Sequence, residues 1–573
     1  MSDQIKKTNR STASNTGKKK PKKRKKSYTG ASRQVQELHA LNIRRSQAYL
    51  AITFTIASVL LIVHTLDTQS LGTLFSGSQW FFISLFVFPV GMCLCLEDQI
   101  RNRYEKKQFR KIRQLLRNSF AWCLGYCLLV LLVTLFAGNT LSKALFFGHN
   151  VTLMLYIFCS LLFFDFVYLI LRAFRKAISR DKELTMVFLV RQIIVFLSLV
   201  LFSGVFNKKG ERVAALLQNP DIYRGYRAAG IVLSVSIGAF AGMILMIYMT
   251  IRLIYATGKS AAKDKNKRLE NLWIRLSTQS VSYSFTLLCF FVAVPVFLKL
   301  LQMELEENAM AALSGYQSGV FGLMITAFLL PMLIPAFLTI NEHYPLRVCY
   351  INNDRMEFNI HIQTLLQNAT LTTLFCSIMM LSATSPLLKG LCGVDSALAV
   401  RLFRAGCLGP VIYSILLVLV IVLLYIGKFT TLFFIGLIGF LLNTGLGFLL
   451  SNVWSLGLYG YVISLLLAGV FSIACILSAL IRYTGFRLHT GEVLVYPFID
   501  AAITALVVFL LHLLFALFMP ALAEFIVLSI IGLSVYIIFA LKMNILNDYT
   551  LYELPLGSTI GRVAEHFNLL DDR

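Results

Sequence analysis

The amino-acid sequence predicts an all-α polytopic membrane protein with about 14 transmembrane helices, in two six-helix lobes plus a terminal helix pair. First, 57% of the 573 residues are hydrophobic and only 14% are charged, whereas about a quarter are charged in soluble proteins. Second, the apolar residues form blocks of about 18 to 25, the length that crosses about 30 Å of hydrocarbon. Third, a series of sequence features recurs after about 250 residues, as in transporters built from two repeats.

Apolar blocks and charged breaks divide the chain into six segments. We predict a disordered polybasic cytoplasmic tail (1–46), a first six-helix lobe (47–255), a basic connector (256–274), a second six-helix lobe (275–481), helices 13 and 14 (482–545) and a cytoplasmic C-terminal tail (546–573). The span count is even, so the two chain termini are expected on the same side of the membrane.

The repeat is visible at the second and eighth spans. Pro89 ends span 2, and Leu115-Leu116-Arg117-Asn118 opens span 3. In the second half, Pro331 and Pro335 interrupt span 8, and Leu365-Leu366-Gln367-Asn368 opens span 9. The two prolines remove backbone donors and bend the helix. We therefore predict a kink at Pro331 and Pro335. The kink either takes part in gating or has a purely structural role.

Basic residues set the predicted orientation. Residues 1–46 hold 14 Lys and Arg against Asp3 and Glu37, and the loops after spans 2, 4 and 6 are also basic. Basic loops stay in the cytoplasm, so both termini are predicted there. The tail is expected to contact anionic membrane lipids rather than nucleic acid. Segment 101–117 is expected to form an amphipathic helix that lies on the inner leaflet and runs into span 3.

Several motifs resemble the multidrug/oligosaccharidyl-lipid/polysaccharide exporter superfamily, over roughly residues 75–570. They are Leu171-Arg172-Ala173-Phe174-Arg175-Lys176 after span 4, an arginine in span 5, Leu442-Asn443-Thr444-Gly445 in span 11, Leu458-Tyr459-Gly460-Tyr461 before span 12, and Leu554-Pro555-Leu556-Gly557 after span 14. The order of parts is most similar to the polysaccharide-biosynthesis branch, which includes stage V sporulation protein B-like proteins and lipid II flippases. Span 1 and span 5 lack some residues typical of lipid II flippases.

The resemblance implies a flippase for a lipid-linked saccharide, a cell-wall or polysaccharide precursor such as those of peptidoglycan synthesis, in a bacterial cytoplasmic membrane. Two alternatives stay open. One is a drug or cation antiporter, which would need acidic residues in its cavity. The other is a transport-inactive scaffold that recruits cell-envelope synthesis proteins.

Polar residues inside apolar spans are the candidate substrate-binding residues, because such residues are costly in hydrocarbon. Arg191 in span 5 contacts a lipid diphosphate, reaches the inner membrane surface or pairs with Asp165 in span 4. Asp165 is either this counter-charge, which we favour, or a proton or sodium carrier for antiport. Arg401 and Arg404 share a face at the outer end of span 10, where they either receive a diphosphate or anchor the helix. Asn443 belongs to the span 11 motif. Asp500 lies early in span 13, with helix packing as its simpler interpretation.

The sequence predicts no enzyme, no cofactor and no metal site. It has no phosphate-binding glycine loop with a lysine, no His-Glu-x-x-His and no nucleophile elbow. The cysteines fall mostly inside apolar blocks without paired metal-ligand spacing, which is typical of small buried side chains.

Overall fold

A computed structural model describes residues 30–145, 151–178, 183–262, 272–307 and 313–543, together with Met310, Ile545 and Gly561. The chain divides after Arg44 into two units, and every cavity and side-chain contact discussed below lies in the second. Residues 1–29 of the predicted N-terminal tail, 263–271 of the connector and nearly all of the C-terminal tail lie outside the described residues.

The described residues of the first half of the chain form seven helices. They are α1 (Gly30–Thr65), α2 (Thr68–Val87), α3 (Pro89–Glu105), α4 (Phe109–Leu145), α5 (Thr152–Ala177), α6 (Leu184–Leu217) and α7 (Pro220–Ala262).

The second half contains more breaks. It consists of α8 (Leu272–Phe291), α9 (Ala293–Glu307), α10 (Ser314–Leu329), α11 (Leu333–Asn341), α12 (His343–Ile351), α13 (Arg355–Ser382), α14 (Thr384–Pro386), α15 (Ala397–Ala405), α16 (Gly409–Ile426), α17 (Phe429–Phe448), α18 (Leu458–Thr484), α19 (Tyr496–Phe515) and α20 (Ala521–Lys542). Three π-helical turns (Leu387–Leu391, Leu449–Val453 and Gly491–Val495) adjoin α14, α17 and α19.

The predicted fold class is confirmed. Twelve helical stretches in the described part of the chain are long and apolar enough to cross a membrane. Two bent pairs, α8 with α9 and α10 with α11, raise the number to as many as fourteen. No strand occurs among the described residues. The protein is therefore an all-α, multi-pass membrane protein.

Prolines account for the main helix breaks. α2 ends at Val87 and α3 begins at Pro89, whose ring nitrogen has no proton for a helical hydrogen bond. The α10–α11 pair bends by 40° around Pro331, with Pro335 in the first turn of α11. Pro295 follows the 44° bend between α8 and α9. The kink that we predicted at Pro331 and Pro335 is present.

Two local predictions differ from the structure. Segment 101–117 is not a single helix, because α3 and α4 meet within it at a tight turn in which Lys107 has a φ of 56°. Its part from Phe109 onwards runs into span 3 as α4, as predicted. Residues 30–46, predicted as disordered tail, are helical as the start of α1. Good helix formers such as Gln36, Glu37 and Leu38 extend a helix that the apolar span has already nucleated.

The helices of the two halves pack against each other along two lines. α2 packs on α10, and α3 packs on α8. Within the halves, α5, α6 and α7 pack together, as do α17 and α18, while α19 and α20 lie beside α13. The division into two repeated lobes stays a prediction; the packing shows which helices surround the space between the halves.

Candidate functional site

A cavity of about 520 Å³ lies between the two halves. α3 and α5 line it from the first half, and α8, α10, α16, α17 and α18 line it from the second. Most of its wall is apolar, with side chains such as Leu287, Phe328 and Leu416. An apolar cavity of this size accommodates an amphiphile better than a fully hydrated solute.

Charged side chains gather at the end of the cavity next to the α3–α4 turn. We call this set the charged rim: Glu97, Asp98, Arg101, Arg172, Lys176 and Arg347. Glu97 accepts from Arg101 Nη2 at 2.8 Å and lies 3.3 Å from Lys176 Nζ. Lys176 Nζ also lies 5.8 Å from the centre of the Tyr425 ring. These contacts connect α3, α5 and α16.

Asp98 joins the two halves at the same end. Arg347 Nη1, on α12, donates to Asp98 Oδ1 at 2.8 Å. The hydroxyl of Tyr283, on α8, donates to Asp98 Oδ2 at 3.1 Å. Since Asp98 lies on α3, this single carboxylate bridges helices from both halves. An ion pair of this kind can close one end of a cavity and can separate at modest cost when the helices move.

Arg172 differs from the other cations of the charged rim in its contacts with the described residues. Its half-buried guanidinium lies near Cys93 and Tyr425, which line the same cavity. It makes no hydrogen bond or ion pair with the part of the chain that the structure describes. The four cations of the rim face two carboxylates, and both carboxylates are already engaged by the other cations. The rim therefore has an excess of positive charge that an anion can neutralise.

The far part of the cavity offers a second polar contact. Asn443, on α17, lines the cavity, and its buried Oδ1 has no hydrogen-bond partner among the described residues. A buried amide oxygen without a partner is costly, and a hydroxyl donor from a ligand would satisfy it. Of the residues that the sequence singled out for binding, Asn443 is the one that lines this cavity.

Close packing of α2 on α10 shuts the opposite end of the molecule. A Cβ atom on Gly72 would lie 2.0 Å from the carbonyl oxygen of Gly315, and one on Gly319 would lie 1.9 Å from that of Thr68. The two backbones therefore touch at positions where only glycine fits. Beside this contact, Arg227 of α7 donates to Asp67 at 2.8 Å. A second, apolar cavity of about 400 Å³ lies beneath the contact.

Arg191 and Asp165 lie away from the cavity and pair with each other. Arg191 Nη1, on α6, lies 2.8 Å from Asp165 Oδ1, on α5, and both side chains are largely buried. The guanidinium also lies over the Tyr168 ring, 5.4 Å from its centre. The geometry agrees with the interpretation of Asp165 as the partner of Arg191. A role of either residue in substrate binding stays untested.

We expect single substitutions in this pair to destabilise the fold. Asp165→Asn leaves a buried guanidinium without its counter-charge, at a cost of about 3 to 5 kcal/mol. The double variant Asp165→Asn/Arg191→Gln removes both charges and should recover most of that loss. Denaturant unfolding in mixed micelles measures both. Equal destabilisation by the single and double variants would show that the two charges are not coupled.

The other predicted residues lie outside the cavity. Arg401 and Arg404 are exposed on α15, a short helix before α16. Asp500 is fully buried on α19, where Thr504 Oγ1 donates to its Oδ1 at 3.4 Å. Nearby, His512 pairs with Glu524 of α20 at 2.5 Å. Pro331 and Pro335 lie at the α10–α11 break, beside cavity residues Leu329 and Met332.

Sequence reasoning missed the charged rim itself. It did not name Glu97 or Asp98 as binding residues, and it used Arg172 and Lys176 only in the motif after span 4 and as basic residues that set the orientation. A usable signal was present: two adjacent acids directly follow the apolar run Cys93-Leu94-Cys95-Leu96 in a segment that is otherwise basic. That pattern indicates local charge pairing.

Comparison with known proteins shows the fold of this molecule. No family model and no curated protein matches the chain. Among solved structures, the lipid II flippase MurJ in an inward closed conformation has a TM-score of 0.56 and 16% identity, covering 88% of this chain and 98% of the other. An inward-facing multidrug resistance MATE family transporter has a TM-score of 0.56 and 11% identity, and the match covers 77% of this chain and 95% of the other.

A third structure is a MOP superfamily transporter from Pyrococcus furiosus described as having a binding pocket of reverse polarity. Its TM-score is 0.52 at 10% identity, over 78% of this chain and 95% of the other. The chain thus has the fold of transporters of the MOP superfamily. The narrower branch that the sequence motifs indicated stays a prediction.

Proposed function

We propose that the protein is a flippase-type transporter that carries a lipid-linked saccharide across a bacterial cytoplasmic membrane by alternating access. The observation that carries the proposal is Arg172, which has no hydrogen-bond or ion-pair partner among the described residues, in a rim of net positive charge at one end of a large apolar cavity. A lipid diphosphate supplies the matching anion, since a guanidinium donates two parallel hydrogen bonds to phosphate oxygens.

The cavity can also hold the lipid chain and the sugar of such a substrate. Its apolar wall can cover the first isoprenoid units of the lipid. Asn443 Oδ1 can accept from a sugar hydroxyl, since it lacks a partner among the described residues. The fold likeness to a structure named as a lipid II flippase supports the same substrate class. The particular sugar and the peptidoglycan pathway are parts of this proposal.

The packing suggests how access alternates. We assign the basic end to the cytoplasm, because basic residues concentrate there; the cytoplasmic position of both termini stays a prediction from the sequence. In this state the α2–α10 glycine contact closes the outer end, and the Asp98 contacts narrow the inner end. Opening outwards requires α2 and α10 to separate, with the breaks at Pro89 and Pro331 as hinges.

A drug or cation antiporter is the second candidate, because structures named as MATE transporters share the fold and two carboxylates line the cavity. Glu97 and Asp98 are both paired with cations. An organic cation would have to displace those partners in a rim that is already positive. The charge balance therefore favours an anionic substrate.

Reconstitution tests the proposal. Proteoliposomes containing a fluorescent undecaprenyl-diphosphate-linked saccharide should show protein-dependent exposure of the probe to an outer quencher. A fluorescent organic cation in the same vesicles should not be transported. Transport of the cation alone would favour the antiporter, and movement of neither probe would favour a scaffold that recruits cell-envelope synthesis proteins.

A further inference from the structure

A group of metal-ligand side chains lies at the α12–α13 junction, outside the cavity. Cys349 of α12 and Glu357 and His361 of α13 place one ligand atom each within 4.8 Å of the others. Cys349 is buried, His361 is half-buried and Glu357 is exposed. Nothing in the proposed transport mechanism uses these three residues.

The local fold explains why they meet. Asn353 adopts a left-handed conformation with a φ of 55°, and the Asp354 amide donates to the Cys349 carbonyl at 3.0 Å. The Asp354 side chain then caps α13 by accepting from the Glu357 amide at 3.2 Å. This tight turn returns the chain against α12. Glu357 and His361 are four residues apart, so they share the helix face next to Cys349.

Glu342 lies next to the histidine ring. Its Oε2 lies 3.2 Å from His361 Nδ1, while His361 Nε2 lies 3.9 Å from Glu357 Oε1. A carboxylate next to Nδ1 favours the tautomer that carries its proton on Nδ1 and leaves the Nε2 lone pair available for a metal. Metal-binding histidines have this arrangement in most proteins, because the outer carboxylate sets the tautomer and increases ligand basicity.

We propose that Cys349 Sγ, His361 Nε2 and the Glu357 carboxylate form a binding site for Zn²⁺, with Glu342 as the outer carboxylate of His361. Thiolate, imidazole and carboxylate together suit Zn²⁺, whereas Mg²⁺ and Ca²⁺ take oxygen ligands. Tetrahedral Zn²⁺ with bonds of about 2.0 to 2.3 Å requires its ligand atoms about 3.5 Å apart. The three ligand atoms now lie within 4.8 Å of one another. The Glu357 side chain is 61% exposed, so it can move closer to the other two ligands. Solvent would complete the fourth position.

The sequence predicted no metal site because paired spacing was absent. These ligands come from two helices joined by a turn, so their proximity depends on the fold. The site also has a structural consequence. α12 carries Arg347, which binds Asp98 of the charged rim. Zn²⁺ bound at this site would tie α12 to α13 and would help to hold Arg347 at the cavity.

Zn²⁺ titration of the full chain tests the site. The purified protein, carrying an affinity tag without histidine, competes with a chromophoric chelator for Zn²⁺. Cys349→Ser and His361→Gln should each lower the affinity by at least about 100-fold, and Glu342→Gln by about 10- to 100-fold. Cys392→Ser is the matched control and should bind as the wild type does, since Cys392 lies outside the cluster.

Co²⁺ provides a second readout that is independent of affinity. Co²⁺ bound to the wild type should give the near-ultraviolet charge-transfer absorption of a cobalt–thiolate bond, and Cys349→Ser should abolish it. Thermal unfolding without metal checks that each variant is folded. Unchanged Zn²⁺ affinity in the folded Cys349→Ser and His361→Gln variants, or a Co²⁺ complex without thiolate absorption, would overturn the proposal. Neither outcome depends on whether the protein transports a lipid.

Discussion

Replacing Arg172 by alanine is expected to weaken binding of a polyprenyl diphosphate by about 10- to 100-fold, because hydrogen bonds to charged groups contribute about 1.5 to 3 kcal/mol each. Arg172 is the rim cation without a partner in the described part of the chain. Its guanidinium is therefore available to bind the substrate, and its removal breaks no ion pair among the residues that the structure describes. Binding is measured with a fluorescent lipid diphosphate in micelles.

Two further variants make this result specific. Arg404→Ala removes an exposed arginine from α15 and should leave binding unchanged. Arg172→Lys keeps the charge but loses the paired donors, and it should fall between alanine and the wild type. Equal binding by the Arg172→Ala variant and the wild type would remove Arg172 from the site. A selective loss in Arg404→Ala would instead support the arginine pair that the sequence indicated.

Adding one methyl group at Gly319 is expected to destabilise the protein strongly. The new Cβ would lie 1.9 Å from the Thr68 carbonyl oxygen, and backbone atoms cannot move aside as a flexible side chain can. Overpacking costs about 1 to 3 kcal/mol or more. We therefore expect Gly319→Ala to lower the midpoint of thermal unfolding in detergent and to shift the protein towards states in which α2 and α10 are apart.

Gly125→Ala is the matched control, because its added Cβ would meet no described atom within 4 Å apart from those of its own stretch of helix. Alanine is favoured over glycine in a helix by about 1 kcal/mol, so this variant should be as stable as the wild type or more stable. The two substitutions are chemically identical and have opposite expected signs. A Gly319→Ala variant as stable as Gly125→Ala would show that the α2–α10 contact is not tight in the protein.

The fold was largely predictable because the bilayer imposes a length on every span. Apolar block length and proline position depend on the local sequence, so the spans and the break at Pro331 could be predicted. The helical start of α1 and the turn between α3 and α4 were not predicted, because a polar and basic segment can either continue a helix or form a turn or coil. Which of the two forms depends on contacts with neighbouring helices, and these are known only from the three-dimensional structure.

The site was less predictable because its charges meet across the sequence. Asp98 binds Tyr283 and Arg347, which lie on helices of the other half, and no local pattern announces those pairings. Arg191 attracted attention as a charge inside a span, yet its charge is matched by Asp165. A charged residue in an apolar helix indicates that it has a partner. The sequence alone does not show whether that partner is a substrate or a residue on another helix.

A structure of the protein with an undecaprenyl-diphosphate-linked saccharide bound, determined by cryo-electron microscopy, tests the central claim most directly. We predict density for the diphosphate at the charged rim, with a phosphate oxygen within hydrogen-bond distance of Arg172 and the lipid chain along the apolar wall. Density for the headgroup at Arg401 and Arg404, or an unoccupied cavity at saturating ligand, would contradict the account.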